Sequence, residues 1–411
     1  MTEPSAPPPR PATPTTVLRS PLLTAGVILV AANLRPVATS IGPLVHEIRG
    51  GLHLSGADAG LLLSIPVLCF GLAAPAAPPL SRKIGIARTI ALVLVLVIAG
   101  LVLRATGSVA ALFLGTTLAA AGAACGNVLL PVIVRRSFAD RVGRIAAFYT
   151  TALVASAALT AGLTVPIANA LGESWRGGLI IWAAPALLAL LFWAPQLRRE
   201  RDRSAEAVNI PHARLRDVTR DPLAWQLTIF FAIQSWGFYS VVAWLPSIFE
   251  SHGLSNTYSG FLLGLCGVMA IPGALLVPRL AARWGDQRQL AFWLSVITAA
   301  GLAGILLSPT SAPEVWTVVL GIGQGASFPL ALTMIVLRGG TTRLTSSLST
   351  HVQAIGYLFS AAGPLAIGAL HDTTGSWTAS LLVLIVLLAP QAATGVAAGR
   401  SRVVRDRPAG A

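Results

Sequence analysis

The stretch PPLSRKIGIAR (78–88) returns, altered but in register, as PRLAARWGDQR (278–288). Pro78, Leu80, Lys83, Gly85 and Arg88 stand 200 residues before Pro278, Leu280, Arg283, Gly285 and Arg288. Ser174 and Trp175 likewise recur as Ser376 and Trp377. Repetition at one long offset marks two parallel copies of a structural unit, together filling the 411-residue chain. In membrane proteins, repeats of this kind place a binding site at their interface, near the bilayer midplane.

Working outward from the repeated turns, apolar stretches cover 21–46, 57–80, 88–105, 108–134, 143–170, 177–195, 223–249, 257–280, 288–307, 313–337, 345–370 and 376–398. Each, wound as a helix, is long enough to cross a hydrocarbon layer about 30 Å thick. Composition agrees: 55% of the residues are hydrophobic and only 11% are charged, against roughly 25% charged in a water-soluble domain. The expected fold is therefore an all-α integral membrane protein of twelve transmembrane helices in two six-helix repeats. Residues 1–20, rich in Pro, Ser and Thr, are expected to be a disordered cytoplasmic tail without the apolar core of a signal peptide. The two bundles are expected at 21–195 and 223–398, joined by a cytoplasmic linker at 196–222 and followed by a tail at 399–411. The linker mixes charges of both signs and is too short for a catalytic domain.

The formal net charge of +14 does not point to nucleic acid, because the basic residues are scattered between apolar runs. Their placement reports topology instead. Arg10 and Arg19 precede segment 1; Arg82, Lys83 and Arg88 follow segment 2; Arg135, Arg136, Arg141 and Arg144 follow segment 4. The same side takes the linker arginines and those after segments 8, 10 and 12, whereas the other side holds only Arg49, Arg104 and Arg176. By the positive-inside rule both termini lie in the cytoplasm and the chain sits in the plasma (inner) membrane. Cys69, Cys125 and Cys266 lie within apolar stretches without CxxC spacing, so neither a disulfide framework nor a metal site is expected.

Polarity sorts by segment. Segments 3, 6, 9 and 12 are almost purely apolar, as lipid-facing helices should be, while segments 1, 4, 7, 10 and 11 carry Asn33, Arg35, Asn127, Gln234, Tyr239, Gln324, His351 and Gln353. Arg35 lies about fourteen residues into segment 1, some 20 Å deep. No Asp or Glu occupies a segment centre: Glu47 and Asp58 flank the first loop, so an internal ion pair is not evident. One reading has the guanidinium bonded to backbone carbonyls freed by Pro36 or Pro43. The other makes Arg35 the partner of a substrate, its planar fork suited to a small anion or to the oxygens of a nitro group. Thr39 and Gly42, at i+4 and i+7, share its helical face and offer a hydroxyl and room for a ligand.

Asn127, Gln234, Tyr239, Gln324 and Gln353 are candidate substrate contacts, each equally suited to joining neighbouring helices. Trp236, Phe238 and Trp244 read as packing or interface anchors. His351 is the candidate proton carrier, with a core histidine as the alternative. The glycines of 321–325 lack the Lys-Ser/Thr ending of a phosphate loop and read as close helix packing. Nothing is arranged as an enzyme site, and no cofactor is expected.

At this point the residues resemble a known family. Twelve helices in two repeats with a basic turn after segments 2 and 8 resemble the major facilitator superfamily. More narrowly, NLRPVATSIGPL (33–44), SIPVLCFGLAAPAAPPLSRKIG (64–85), GNVLLPVIVRRSF (126–138), AWLPSIF (243–249), GQGASFPLALTMIVLR (323–338) and GYLFSAAGPLAIGALHDTTGSW (356–377) are similar to its cyanate-permease and nitroimidazole-transporter branch. The resemblance implies transport of a small anionic, nitro or azole-type compound by alternating access, through a cavity lined mainly by segments 1, 4, 7 and 10. It also implies conformational turns at Arg82, Lys83, Gly85, Arg283 and Gly285. The superfamily's acidic turn residue is absent here, its places being taken by Arg82 and Ala282. The rival readings are a broad-range drug exporter of the same fold and a membrane sensor. The expected partners are a small-molecule substrate and membrane lipid, with no nucleic acid and a monomeric state. With no carboxylate in mid-segment, either His351 carries a coupling proton or the substrate moves by facilitated diffusion or exchange.

Overall fold

Helix starts are written locally in the chain. The side chains of Ser55, Ser108, Asp221, Ser255 and Ser376 accept from the backbone N–H groups of Asp58, Ala111, Leu223, Tyr258 and Thr378, supplying acceptors that a first turn lacks. At Ser55 the arrangement is reciprocal, Asp58 accepting from the Ser55 backbone N–H.

The computed structural model describes residues 21–138, 142–172, 174–201, 218–340 and 342–404. The expected tail at 1–20, residues 405–411 of the expected tail at 399–411, and 202–217 of the expected linker lie outside the described residues. Among the described residues there is no strand, and 12 helical spans are long and apolar enough to cross a membrane. They are spans 1 (Pro21–Leu52), 2 (Gly56–Ile84), 3 (Ile86–Arg104), 4 (Val109–Val134), 5 (Phe148–Ala170), 6 (Trp175–Leu197), 7 (Pro222–Glu250), 8 (Asn256–Ala281), 9 (Arg288–Leu307), 10 (Pro313–Gly339), 11 (Ser347–Thr374) and 12 (Trp377–Ala398).

Span 7 is the most enclosed, 78% buried, and span 6 the least, at 28%. Spans 6 and 12 show lipid the side chains expected of them, including Leu187, Leu188, Leu191, Leu382 and Val386. Span 3 departs from the expectation. It is 50% buried, more than span 5 at 39% or span 8 at 33%, because Gly100 and Gly115 let the backbones of spans 3 and 4 touch. Arg104, expected in a loop, ends span 3 fully buried.

The two halves meet where backbones approach closely. A Cβ on Gly60 of span 2 would lie 2.8 Å from Leu365 Cα of span 11, and one on Gly264 of span 8 would lie 3.0 Å from Gly162 Cα of span 5. Absence of a side chain is what permits both contacts. Polar groups near the same ends of the spans add to them. Asn169 Nδ2 donates to Thr257 Oγ1 at 3.3 Å, Arg49 pairs with Asp372 at 3.3 Å, the Ala57 N–H donates to Asp372 Oδ2 at 3.1 Å, and Asn256 donates to Glu47. All of these lie toward the face opposite Pro21 and Val404, so the halves are joined on that side.

A Gly264→Leu substitution should therefore loosen this seam. With Asn169→Cys and Thr257→Cys as reporters and a short bifunctional thiol reagent, crosslinking is expected to be efficient in the parent and clearly reduced with leucine at 264, read as a gel shift after cleavage in the linker.

Candidate functional site

Span 1 is not one helix. It runs as Pro21–Ala32, then Pro36–Thr39, a 3-10 turn Gly42–Leu44, and Val45–Leu52. Pro36 and Pro43 lack the N–H that a continuous ladder needs, which interrupts the helix in mid-membrane. Local polar groups take up the freed backbone. Asn33 Nδ2 donates to Leu29 O at 2.8 Å and to Pro185 O of span 6 at 3.1 Å, Thr39 Oγ1 donates to Arg35 O at 3.1 Å, and Ser40 Oγ donates to Pro36 O at 2.6 Å.

Arg35 caps the short second piece and turns inward between the halves. Its Nη1 donates to Tyr239 Oη of span 7 at 3.4 Å, and its guanidinium lies 6.0 Å from the ring centre of Phe70 on span 2. Tyr357 of span 11 closes the group, 5.6 Å from Phe70, 6.5 Å from Tyr239 and 5.1 Å from Phe231. Phe238 packs edge-on against Tyr239 at 5.3 Å. Neither ion pair of the described residues involves Arg35.

The magnitudes matter. A neutral acceptor at that length contributes about 0.5–1.5 kcal/mol at best, and a cation at the limit of ring contact about 0.5–2 kcal/mol. Together they fall short of the several kcal/mol that burying a guanidinium costs. The guanidinium keeps donors able to take an anion or a polarised pair of oxygens.

The other sequence-selected residues divide into sets. Tyr239 joins Arg35. Thr39 is buried beside it, its hydroxyl proton committed to the Arg35 carbonyl. The room expected at Gly42 is filled by the Val242 carbonyl of span 7, because the break removes the continuous helical face assumed for it. Asn127 is partly exposed on span 4, next to Gly126, which packs on Leu34. Gln234 and Gln324 lie elsewhere. With Gln391, Thr298 and Ser327 they line a cavity of about 10 Å³ among spans 7, 9, 10 and 12, about the room of one water. Gln234 accepts from Ser235 Oγ at 3.1 Å and, five residues before Tyr239, occupies another face of span 7.

Gln353 donates to Ser349 Oγ one turn back at 2.7 Å. His351 is fully buried, 5.0 Å from the Trp225 ring, and neither ring nitrogen has a hydrogen-bond partner. Of the turn residues, Arg82, Lys83, Arg283 and Gly285 are exposed, and Gly85 ends its helix at φ 90°, a conformation relaxed only for glycine. After the second turn, hydrogen bonds from the Arg288 side chain and backbone hold the Asp286 carboxyl below the usual aspartate range. Its pairing thus survives at neutral pH and is lost only as pH falls through that lowered value.

Sequence reasoning missed Phe70, Phe231 and Tyr357. The available signal was Tyr357, a phenol placed deep in an apolar segment and one of only 4 tyrosines in the chain.

Twelve helices long and apolar enough to cross a membrane, packed in two halves, define a multi-pass membrane protein. The Major Facilitator Superfamily matches residues 27–364, and the chain belongs to that superfamily. It is 36% identical to the 2-nitroimidazole transporter of Escherichia coli (strain K12), covering 93% of this chain and 97% of that one. It is 31% identical to the cyanate transport protein CynX of the same organism, covering 85% and 90%, and 39% identical to an uncharacterised transporter of Bacillus subtilis (strain 168), covering 93% and 94%. Among solved structures, a bacterial homologue of the human lysosomal transporter Spinster, in an inward-facing and unoccupied conformation, shares the fold with a TM-score of 0.75 at 16% identity, covering 95% of this chain and 100% of that one.

The two polar sets should respond differently to a small maleimide, in a background with Cys69, Cys125 and Cys266 replaced by alanine. Asn127→Cys should be modified rapidly and Gln234→Cys slowly, as followed by intact mass.

Proposed function

We propose that this transporter moves a small anionic, nitro or azole-type compound across the plasma membrane by alternating access, with Arg35 as the main substrate partner. The observation that carries the reading is the Arg35 guanidinium, held between the halves by one phenol and the faces of aromatic rings, with no carboxylate paired to it among the described residues. The relatives named for 2-nitroimidazole and for cyanate support the substrate class, both being small solutes with oxygen or nitrogen acceptors for a planar fork.

Tyr239 orients the guanidinium, and the Phe70 and Tyr357 rings, packed on each other, offer an aromatic wall beside it. Asn127 lines the approach from span 4, and Thr39 supports the turn that carries Arg35. Gln234 and Gln324, in their own small cavity, and Gln353, bonded to Ser349, stay outside this arrangement. Rocking of the halves about the joined face opposite the termini alternates access, with the exposed turns at Arg82, Lys83, Gly85, Arg283 and Gly285 as moving edges. The arginine distribution supports cytoplasmic termini. The carboxylates of the spans sit near their ends, and His351 lies near the start of span 11, away from the ring cluster. Facilitated diffusion or exchange therefore fits better than proton coupling through His351.

The test is thermal stability of the purified protein against cyanate and 2-nitroimidazole, since a ligand that binds the folded state raises the transition by mass action. The wild type should be stabilised by at least one of them. Arg35→Ala should lose the response while keeping its monodisperse profile, and Arg35→Lys should recover little, a point charge being no substitute for the fork. A full response in Arg35→Ala would overturn the role of Arg35. No response to either probe in the wild type would overturn the substrate class.

A further inference from the structure

A second buried guanidinium stands behind the first. Arg104, the last residue of span 3, is fully buried, and no charged group faces it among the described residues. Its Nη1 donates to the Val37 carbonyl at 3.0 Å and its Nη2 to Ser40 Oγ at 2.7 Å, while Nε has no partner. Both acceptors belong to the interrupted turn of span 1 that begins at Arg35.

The hydrogen bonds of that turn form a closed set. The Arg35 carbonyl takes the N–H groups of Ala38 and Thr39 and the Thr39 hydroxyl, and the Pro36 carbonyl takes the N–H and hydroxyl of Ser40. The helical piece then stops at Thr39, and the next carbonyl, Val37, goes to Arg104. A neutral donor would satisfy one carbonyl at far smaller desolvation cost than a buried cation. What a guanidinium adds is a rigid fork that grips two acceptors at once and fixes the rotation of the turn between them. It also sets a positive charge at the carbonyl end of the turn, the favourable polarity for a helical segment.

We propose that Arg104 is a positioning residue for substrate recognition: by clamping Val37 and Ser40 it sets the rotation of the Arg35–Ser40 turn and so aims Arg35 into the space between Phe70, Tyr239 and Tyr357. The proposal rests on the reading that Arg35 meets the substrate. The Arg104 guanidinium hydrogen-bonds only to span 1 and does not contact the solute.

The test is uptake of radiolabelled cyanate and 2-nitroimidazole in proteoliposomes by wild type, Arg104→Gln, Arg104→Lys and the milder Ser40→Ala, each normalised to reconstituted monodisperse protein. Misaiming Arg35 should raise KM about tenfold or more in Arg104→Gln with the maximal rate largely kept. Ser40→Ala should shift KM in the same direction by less, and Arg104→Lys should recover part of the loss. An unchanged KM in Arg104→Gln, or a fall in maximal rate alone, would overturn the proposal. A second readout needs no substrate: in the background lacking native cysteines, Ala38→Cys should react faster with a small maleimide when Arg104 is Gln. If neither probe is taken up by the wild type, the substrate reading fails and this reactivity decides the positioning claim, an unchanged rate refuting it.

Discussion

A hydrocarbon layer supplies no hydrogen bonds, so a chain crossing it must satisfy its own backbone at every residue. Span 1 meets that constraint with two prolines in its middle, and much of the structure around the site follows. Pro36 and Pro43 break the ladder; Asn33 and Arg104 take up the Leu29 and Val37 carbonyls, while the Thr39 and Ser40 hydroxyls add to carbonyls that already hold backbone N–H groups. The side chain left without such a duty is Arg35, which points between the halves. Interruption and candidate binding group thus share one segment of span 1.

The same constraint shapes the joint between the halves. In lipid, apolar packing gives no net drive between helices, so association relies on close backbone contact and a few polar bonds. Gly60 and Gly264 provide the first and the Arg49–Asp372 and Asn169–Thr257 contacts the second. Arg49 and Asp372 are 29% and 32% exposed, and pairs of that kind contribute about 1 kcal/mol or less. The polar part of the seam is therefore weak compared with the close backbone contacts.

Inside the second half, polarity does a different job. Gln391 Nε2 donates to Ser295 Oγ at 3.1 Å, and Gln234 and Gln324 face a cavity too small for a solute. At the face bearing the termini, Arg338 bonds the Ala398 and Gly399 carbonyls at 3.1 and 2.9 Å, and the Val404 N–H returns to the Arg338 carbonyl at 2.8 Å. These groups tie spans 9, 10 and 12 together.

The sequence by itself determined the number of spans, their pairing into two repeats, the superfamily and the depth of Arg35. These depend on local and additive properties: apolar length, an arginine where hydrocarbon must lie, and a turn repeated at constant offset. It also marked Tyr239, because a phenol in mid-segment needs a partner. Only the tertiary structure decided which polar residues share a space. Gln234 and Tyr239 are five residues apart and face different neighbours, Gly42 serves backbone contact, and the position read as loop at Arg104 is a buried clamp. The physical reason is that helix rotation and the paths of broken spans are set by packing between segments distant in the chain. A hydrogen bond such as Arg104 to Val37 is invisible until span 3 lies against span 1.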